Sequence, residues 1–221
     1  MASGPVILFE GGDVPDGLAY RAARLGVEAC PNVEFLDIPE PRVLMAPVSL
    51  VGAGFTNGCR GFIEYRPSDP ACPLSADLVE AVRAGGLCLS VSTTSLLSHD
   101  PAQMFCAAIG RLAPSIDAMM MELAVAEAVG NAVIHGNLGL NSDLRHSLTG
   151  LVAFNQRIAE RSADPTLAAR RVRLTARPMG EGVEVCVSDD GDGFDLAVEL
   201  SKPLETAAKS GRGLGLIRKV S

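Results

Sequence analysis

The sequence predicts an α/β protein in two parts: a small acidic α/β domain over residues 1–87 and a second α/β domain over residues 88–221. Three observations carry this. The first part alternates short apolar runs with turn residues and one helical stretch, the strand and helix rhythm of a small α/β unit. Residues 100–162 hold the long helix-forming segments. Beyond them, Val172 to Ala176 and Val183 to Val187 alternate with period two around the turn Met179-Gly180-Glu181-Gly182, a β-hairpin signal.

Taken in order, Pro5 to Phe9 reads as a first strand followed by Gly11-Gly12, and Leu18 to Val27 as a helix. Val33 to Ile38 and Arg42 to Leu50 read as two further strands, and Pro67 to Pro73 as a loop. Leu74 to Ala84 is a short helix closed by Gly85-Gly86. Leu87 to Ser95 is a strand rich in Ser and Thr that already counts with the second part. A helix runs from Asp100 to Leu112, and after Pro114 the strongest helix spans Ser115 to Ile134, with Ser115 as N-cap. Its face of Ala124, Ala128, Val129 and Ala132 is small enough for a sheet or a bound ligand to come close. Leu144 to Ser162 is a further helix, Asp164-Pro165 a break, and a short basic helix ends at Arg170-Arg171.

Apolar residues are 48% of the chain and charged ones 20%, which suits a packed core and excludes a largely disordered chain. No apolar run approaches the ~20 residues of a membrane span, and no basic and apolar leader opens the chain, so a cytoplasmic protein is expected. The six cysteines show neither a C-x-x-C pair nor a nearby histidine, which favours reduced structural thiols over a disulfide framework or a zinc site. Net charge is −7 and uneven: residues 1–100 carry six Arg against twelve Asp and Glu, and should repel nucleic acid.

Three segments carry chemistry. In Glu127-Ala-Val-Gly-Asn131-Ala-Val-Ile-His135, residues four apart differ by only about 40° around a helix axis, so Glu127, Asn131 and His135 share one side. An Asn amide oxygen suits Mg²⁺, which keeps most of its waters and takes one or two protein oxygens beside phosphate oxygens. A carboxylate one turn earlier suits orientation or deprotonation of an attacking hydroxyl or water. The same residues also fit an ordinary solvated helix face, and His135 before Gly136-Asn137 fits a helix cap.

Asp189-Asp-Gly191-Asp-Gly193-Phe194 follows the hairpin's second strand, at the end where α/β sheets bind ligands. There a carboxylate can accept the amino hydrogen of adenine, while Gly191 and Gly193 let the backbone approach the ring and permit positive φ. A calcium loop is excluded, because the twelfth position is Leu200 or Ser201 rather than Glu; a plain acidic turn is not. Gly211-Arg212-Gly213-Leu214-Gly215 precedes what looks like a helix start, whose free N–H groups make a phosphate cradle. The spacing is neither that of a Walker loop nor of the dinucleotide fingerprint. Between these two segments, Asp195 to Ser210 has the length of a lid, and Lys202, Lys209 and Arg212 are cations placed to meet a γ-phosphate or simply to face solvent. The three segments together make ATP the leading ligand.

In order and wording these segments resemble the N, G1 and G2 boxes of the superfamily of gyrase, the heat-shock chaperone ATPase, histidine kinases and MutL. Glu-Ala-Val-x-Asn-Ala-x-x-His-Gly-Asn, Asp-x-Gly-x-Gly-Phe and Arg-Gly-Leu-Gly-Leu are most similar to bacterial anti-sigma-factor serine kinases, over roughly residues 88–221. The resemblance implies a two-layer α/β sandwich, a mixed sheet with helices on one face, and ATP between the layers. It further implies Glu127 as catalytic base, Asn131 as Mg²⁺ ligand and Asp189 as adenine anchor. Two departures stand out: about fifty residues separate the first two boxes, including Arg170-Arg171-Val-Arg173, and the chain stops at Ser221, where such modules add a final strand. The latter implies a shortened sheet edge or a truncated chain.

Residues 1–87 weakly resemble a receiver domain of two-component signalling, with Asp13 and Asp16 after the first strand. No phosphoacceptor Asp stands in Leu44 to Leu50, so such a receiver is degenerate. The expected protein is a bacterial regulatory ATP-binding protein, a serine/threonine kinase acting on a partner such as a sigma factor or anti-anti-sigma protein. The alternatives are a non-catalytic ATP-gated binding protein and a histidine-kinase-like signalling module. The second is disfavoured because no long amphipathic helix surrounds His99. Neither direct nucleic-acid nor membrane binding is expected, and a homodimer is compatible with all three readings.

Overall fold

The central strands are apolar at successive positions rather than alternate ones, and that demands cover on both faces. All five residues of β3 (Arg42–Ala46) and all six of β5 (Leu87–Ser92) are buried. The computed structural model, which describes residues 4–31, 40–56, 58–69, 72–140 and 148–193, satisfies this with one seven-stranded mixed sheet in the order β2-β1-β3-β4-β5-β6-β7. Strands β1 (Val6–Phe9), β2 (Glu28–Pro31), β3, β4 (Cys59–Glu64) and β5 are parallel. β6 (Arg171–Met179) then runs antiparallel to β5, and β7 (Gly182–Asp189) antiparallel to β6. The sheet therefore passes through residue 88 without a break, because β5 bonds to β4 on one edge and to β6 on the other.

On one face Ile7, Phe9, Val43, Met45, Ile63 and Cys88 pack with Leu18 and Ala22 of α1 (Asp16–Arg24) and Leu78, Val79 and Val82 of α2 (Ala76–Arg83). The other face, from Leu8 and Leu44 across Phe62 and Leu89 to Val172 and Leu174, lies under the 3₁₀ helix Val48–Phe55, α4 (Pro101–Leu112) and α5 (Ala118–Asn131). Phe154 of α6 (Leu148–Ser162) and Leu167 of α7 (Pro165–Ala169) close the same core. No helix among the described residues is long and apolar enough to cross a membrane, and all six cysteines are free.

Several boundaries differ from the sequence expectation for local reasons. The third strand stops at Ala46 instead of reaching Leu50, since Pro47 has no N–H to donate and opens the 3₁₀ helix. The strand β4 was not anticipated, because Cys59-Arg-Gly-Phe-Ile-Glu64 mixes polar and apolar positions. Gly61 lets it pair tightly with β5, since a side chain there would run into Cys88. β5 ends at Ser92, whose hydroxyl accepts the Ser95 N–H and caps α3 (Thr93–Ser98), so residues 93–95 are helical rather than extended. The expected strand Val33 to Ile38 lies outside the described residues; the neighbour of β1 is Glu28–Pro31. Helix α5 is capped by Asp117, whose carboxylate accepts Met119 and Met120 N–H at 3.1 Å each, and not by Ser115. The parallel part has the strand order 2-1-3-4-5, that of doubly wound receiver-type sheets. Its third strand ends at Ala46-Pro47 with no carboxylate.

Phe105 of α4 is wholly buried and meets Phe55 edge to face at 5.9 Å between ring centres, joining α4 to the 3₁₀ helix. Phe105→Ala should therefore lower unfolding free energy by about 3–5 kcal/mol in urea denaturation, the range for emptying a core phenylalanine site.

Candidate functional site

Helix α5 is regular through Asn131 and then widens into a π-helical segment, Ala132–Asn137, in which Leu138 N–H reaches back to Val133 C=O. The expected helix ended at Ile134; the wider turn carries it three residues further and onto β6 and β7. Such π-turns collect at functional sites. Glu127 is exposed on the regular part, and Asn131, one turn on, is half-buried. His135 lies in the π segment, where its Nδ1–H donates to the Leu140 carbonyl at 2.5 Å, which is the capping role.

The far end of this helix abuts the end of β7. Asp189 is half-buried and its Oδ1 accepts the Gly191 N–H at 2.8 Å, so the chain turns tightly there. A Cβ on Gly136 would overlap the Asp189 carboxylate, and a Cβ on Gly191 would overlap the Gly136 backbone. The lack of a side chain at Gly191 is thus required by a protein backbone. Gly193 has φ +72°, where a side chain would be strained, as expected of that position. Phe194, the lid 195–210 with Lys202 and Lys209, and the segment Gly211, Arg212, Gly213, Leu214 and Gly215 lie outside the described residues.

Beneath Asp189 stands Asn137, wholly buried and fully bonded. Its Oδ1 accepts Asp190 N–H at 2.9 Å, and its Nδ2 donates to Thr93 Oγ1 at 2.9 Å and to Arg171 C=O at 3.2 Å. The Asp190 carboxylate turns toward β6, accepting Arg171 N–H and Arg173 Nη1–H, both at 2.8 Å. Arg170 Nη1 donates to the Asn137 carbonyl at 2.9 Å. The run Arg170-Arg171-Val-Arg173, met in the sequence as part of an insertion, is therefore the site's scaffold. Its signal was present: a hairpin turning at Gly180-Glu181 pairs Val172 with Asp189, which sets Arg171 beside Asp190.

Two glycines thus let a helix end touch an acidic strand end, and among the described residues Asp189 forms no ion pair while Asp190 pairs with Arg173. Among known families, residues 100–221 match the Histidine kinase-like ATPase domain, more than half of the chain. The chain belongs to this family. Neither curated proteins nor solved structures returned a match. The family makes this an ATP-binding regulatory protein, and within the matched residues β6 and β7 with α4, α5 and α6 on one face form a two-layer part of the sheet.

Two glycines of this region should behave oppositely. Gly136→Ala should weaken nucleotide binding at least about tenfold in calorimetry, since the Asp189 loop must move away. A Cβ on the exposed mid-helix Gly130 meets nothing within 4 Å, so Gly130→Ala should raise stability by about 0.5–1 kcal/mol in urea unfolding.

Proposed function

We propose that the protein is an ATP-dependent serine/threonine protein kinase of the anti-sigma-factor type. The observation that carries this reading is the exposed Glu127 carboxylate one turn before half-buried Asn131, on a helix whose other end touches Asp189. Adenine would be held by the Asp189 carboxylate accepting its amino hydrogen. Asn131 would hold Mg²⁺, which neutralises phosphate charge when bound. The sequence Gly211, Arg212, Gly213, Leu214 and Gly215, with Lys209, would cradle the phosphates. Glu127 takes the proton of the acceptor hydroxyl as its oxygen attacks the γ-phosphorus and ADP leaves.

The partner is a cytoplasmic regulatory protein of the sigma-factor or anti-anti-sigma class, docking on or sensed through the acidic residues 1–87. Support for a protein partner comes from the acidic balance of the first hundred residues, which disfavours nucleic acid.

Asp189→Asn should weaken ATP binding by about 1.5–3 kcal/mol, the range for a hydrogen bond to a charged group, and unchanged affinity in calorimetry would refute the adenine role. Glu127→Gln should keep ATP affinity within a few-fold yet lose roughly 10²–10⁴ in transfer of labelled phosphate to the partner. The label should resist acid and yield to strong base, as a phosphoserine or phosphothreonine does. A wild-type protein that binds ATP and its partner but transfers nothing would make it an ATP-gated binding protein instead.

A further inference from the structure

Arg171 joins the loop bearing Asp189 to residues far earlier in the chain. Its backbone N–H and C=O hold Asp190 and Asn137, while its guanidinium, on a residue 8% exposed, crosses β5 to the end of β4. There Nε donates to Ser90 Oγ at 2.9 Å, and Nη2 to Glu64 C=O at 2.7 Å and Ser90 C=O at 3.0 Å. Nη1 pairs with Asp69 at 3.0 Å, and Asp69 is itself gripped by Arg66 at 2.8 Å. Of the other nearby carboxylates, Glu64 is committed to Ser92 N–H and Ser95 Oγ, both at 2.6 Å, and Asp190 to the Arg171 N–H and Arg173. Asp69 is thus the one carboxylate that Arg171's side chain bonds among the described residues. Deprived of that carboxylate, the buried guanidinium loses its one hydrogen-bonded charge partner and keeps only the field of Glu64 and Asp190.

We propose that Asp69 positions the Asp189–Gly191 loop through Arg171, so that nucleotide affinity is set in part from residues 66–69. This rests on Asp189 being the nucleotide anchor. Neutralising Asp69 releases the Arg171 side chain, and the first residue of β6 shifts with it. Asp190 then loses one of the two N–H donors that hold its carboxylate, and Asn137 loses a carbonyl partner. Among the described residues no hydrogen bond or ion pair joins Asp69 or Arg66 to the loop. A partner or signal that draws Asp69 away from Arg171 would loosen the anchor in the same way.

The test uses the full chain and two readouts, amide hydrogen exchange of residues 187–193 without ligand and calorimetric affinity for Mg·ATP. Asp69→Asn should speed exchange at Asp190 and Gly191 about tenfold, and weaken ATP about 5–30-fold. Arg83→Met, which removes a tie from α2 to the Leu25 and Gly26 carbonyls, should change neither. Folded Asp69→Asn with loop exchange within twofold of wild type overturns the proposal. Should Asp69→Asn fail to fold, the milder Arg66→Gln decides in its place: loop exchange at least about twofold faster supports the coupling, and unchanged exchange overturns it. A wild-type protein that binds no ATP would sink the nucleotide reading alone, because the ligand-free exchange comparison still tests the coupling.

Discussion

The site depends on one side-chain amide. Asn137 sits without solvent contact where α3, β6 and the end of β7 converge, and its three side-chain hydrogen bonds reach Thr93, Arg171 and Asp190. An amide carries both donors and an acceptor, and only that combination serves a hydroxyl, a backbone carbonyl and a backbone N–H at once. Each bond contributes only about 0.5–1.5 kcal/mol net, but leaving any of these buried groups unpaired costs about 1–3 kcal/mol. The π-turn before Asn137 belongs to the same constraint, since the helix must reach Asn137 while presenting Gly136 to Asp189.

Two adjacent aspartates have opposite environments as a result. Asp190 is bonded through its backbone N–H, by Arg171 N–H and by Arg173, so its charge is spent within the protein. Asp189 accepts only the local Gly191 N–H among the bonds described, and its carboxylate faces the glycine of the helix end. Burial lowers the Arg171 guanidinium below the ordinary arginine range, which the carboxylates of Glu64 and Asp69 oppose. A network of this kind is weak as a source of stability, since desolvation offsets much of the attraction, and its use lies in fixing geometry. Here the geometry fixed is that of the strand end.

The continuous sheet gives that network its reach. Five parallel strands in a receiver-like order share β5 with the antiparallel hairpin of the ATPase module, so the two regions have a common core as well as a polar seam. On the face under α4 and α5, Leu8 and Leu44 of the first region belong to the same apolar cluster as Val172 and Leu174 of the second. Packed interiors transmit displacement because they are dense.

The sequence by itself determined the local features. Period-two alternation and Gly180-Glu181 specified the hairpin and its register; Asp100 and Pro101 specified the start of α4; Gly193 announced a left-handed backbone; and the wording of the boxes identified the family. The positions of Asn131 on a helix and Asp189 at a strand end were legible because both follow local patterns. Only tertiary structure decided that β5 joins two regions, that Gly191 makes room for Gly136, and that Asp69 meets Arg171. Those pairs are far apart in the chain, and no periodicity or cap relates them. The boundary errors have the same origin, since Asp117 and Ser115 are both competent caps and Thr93 to Ser95 suits a strand or a helix. Propensity leaves such choices within about 1 kcal/mol, and burial against the rest of the molecule settles them.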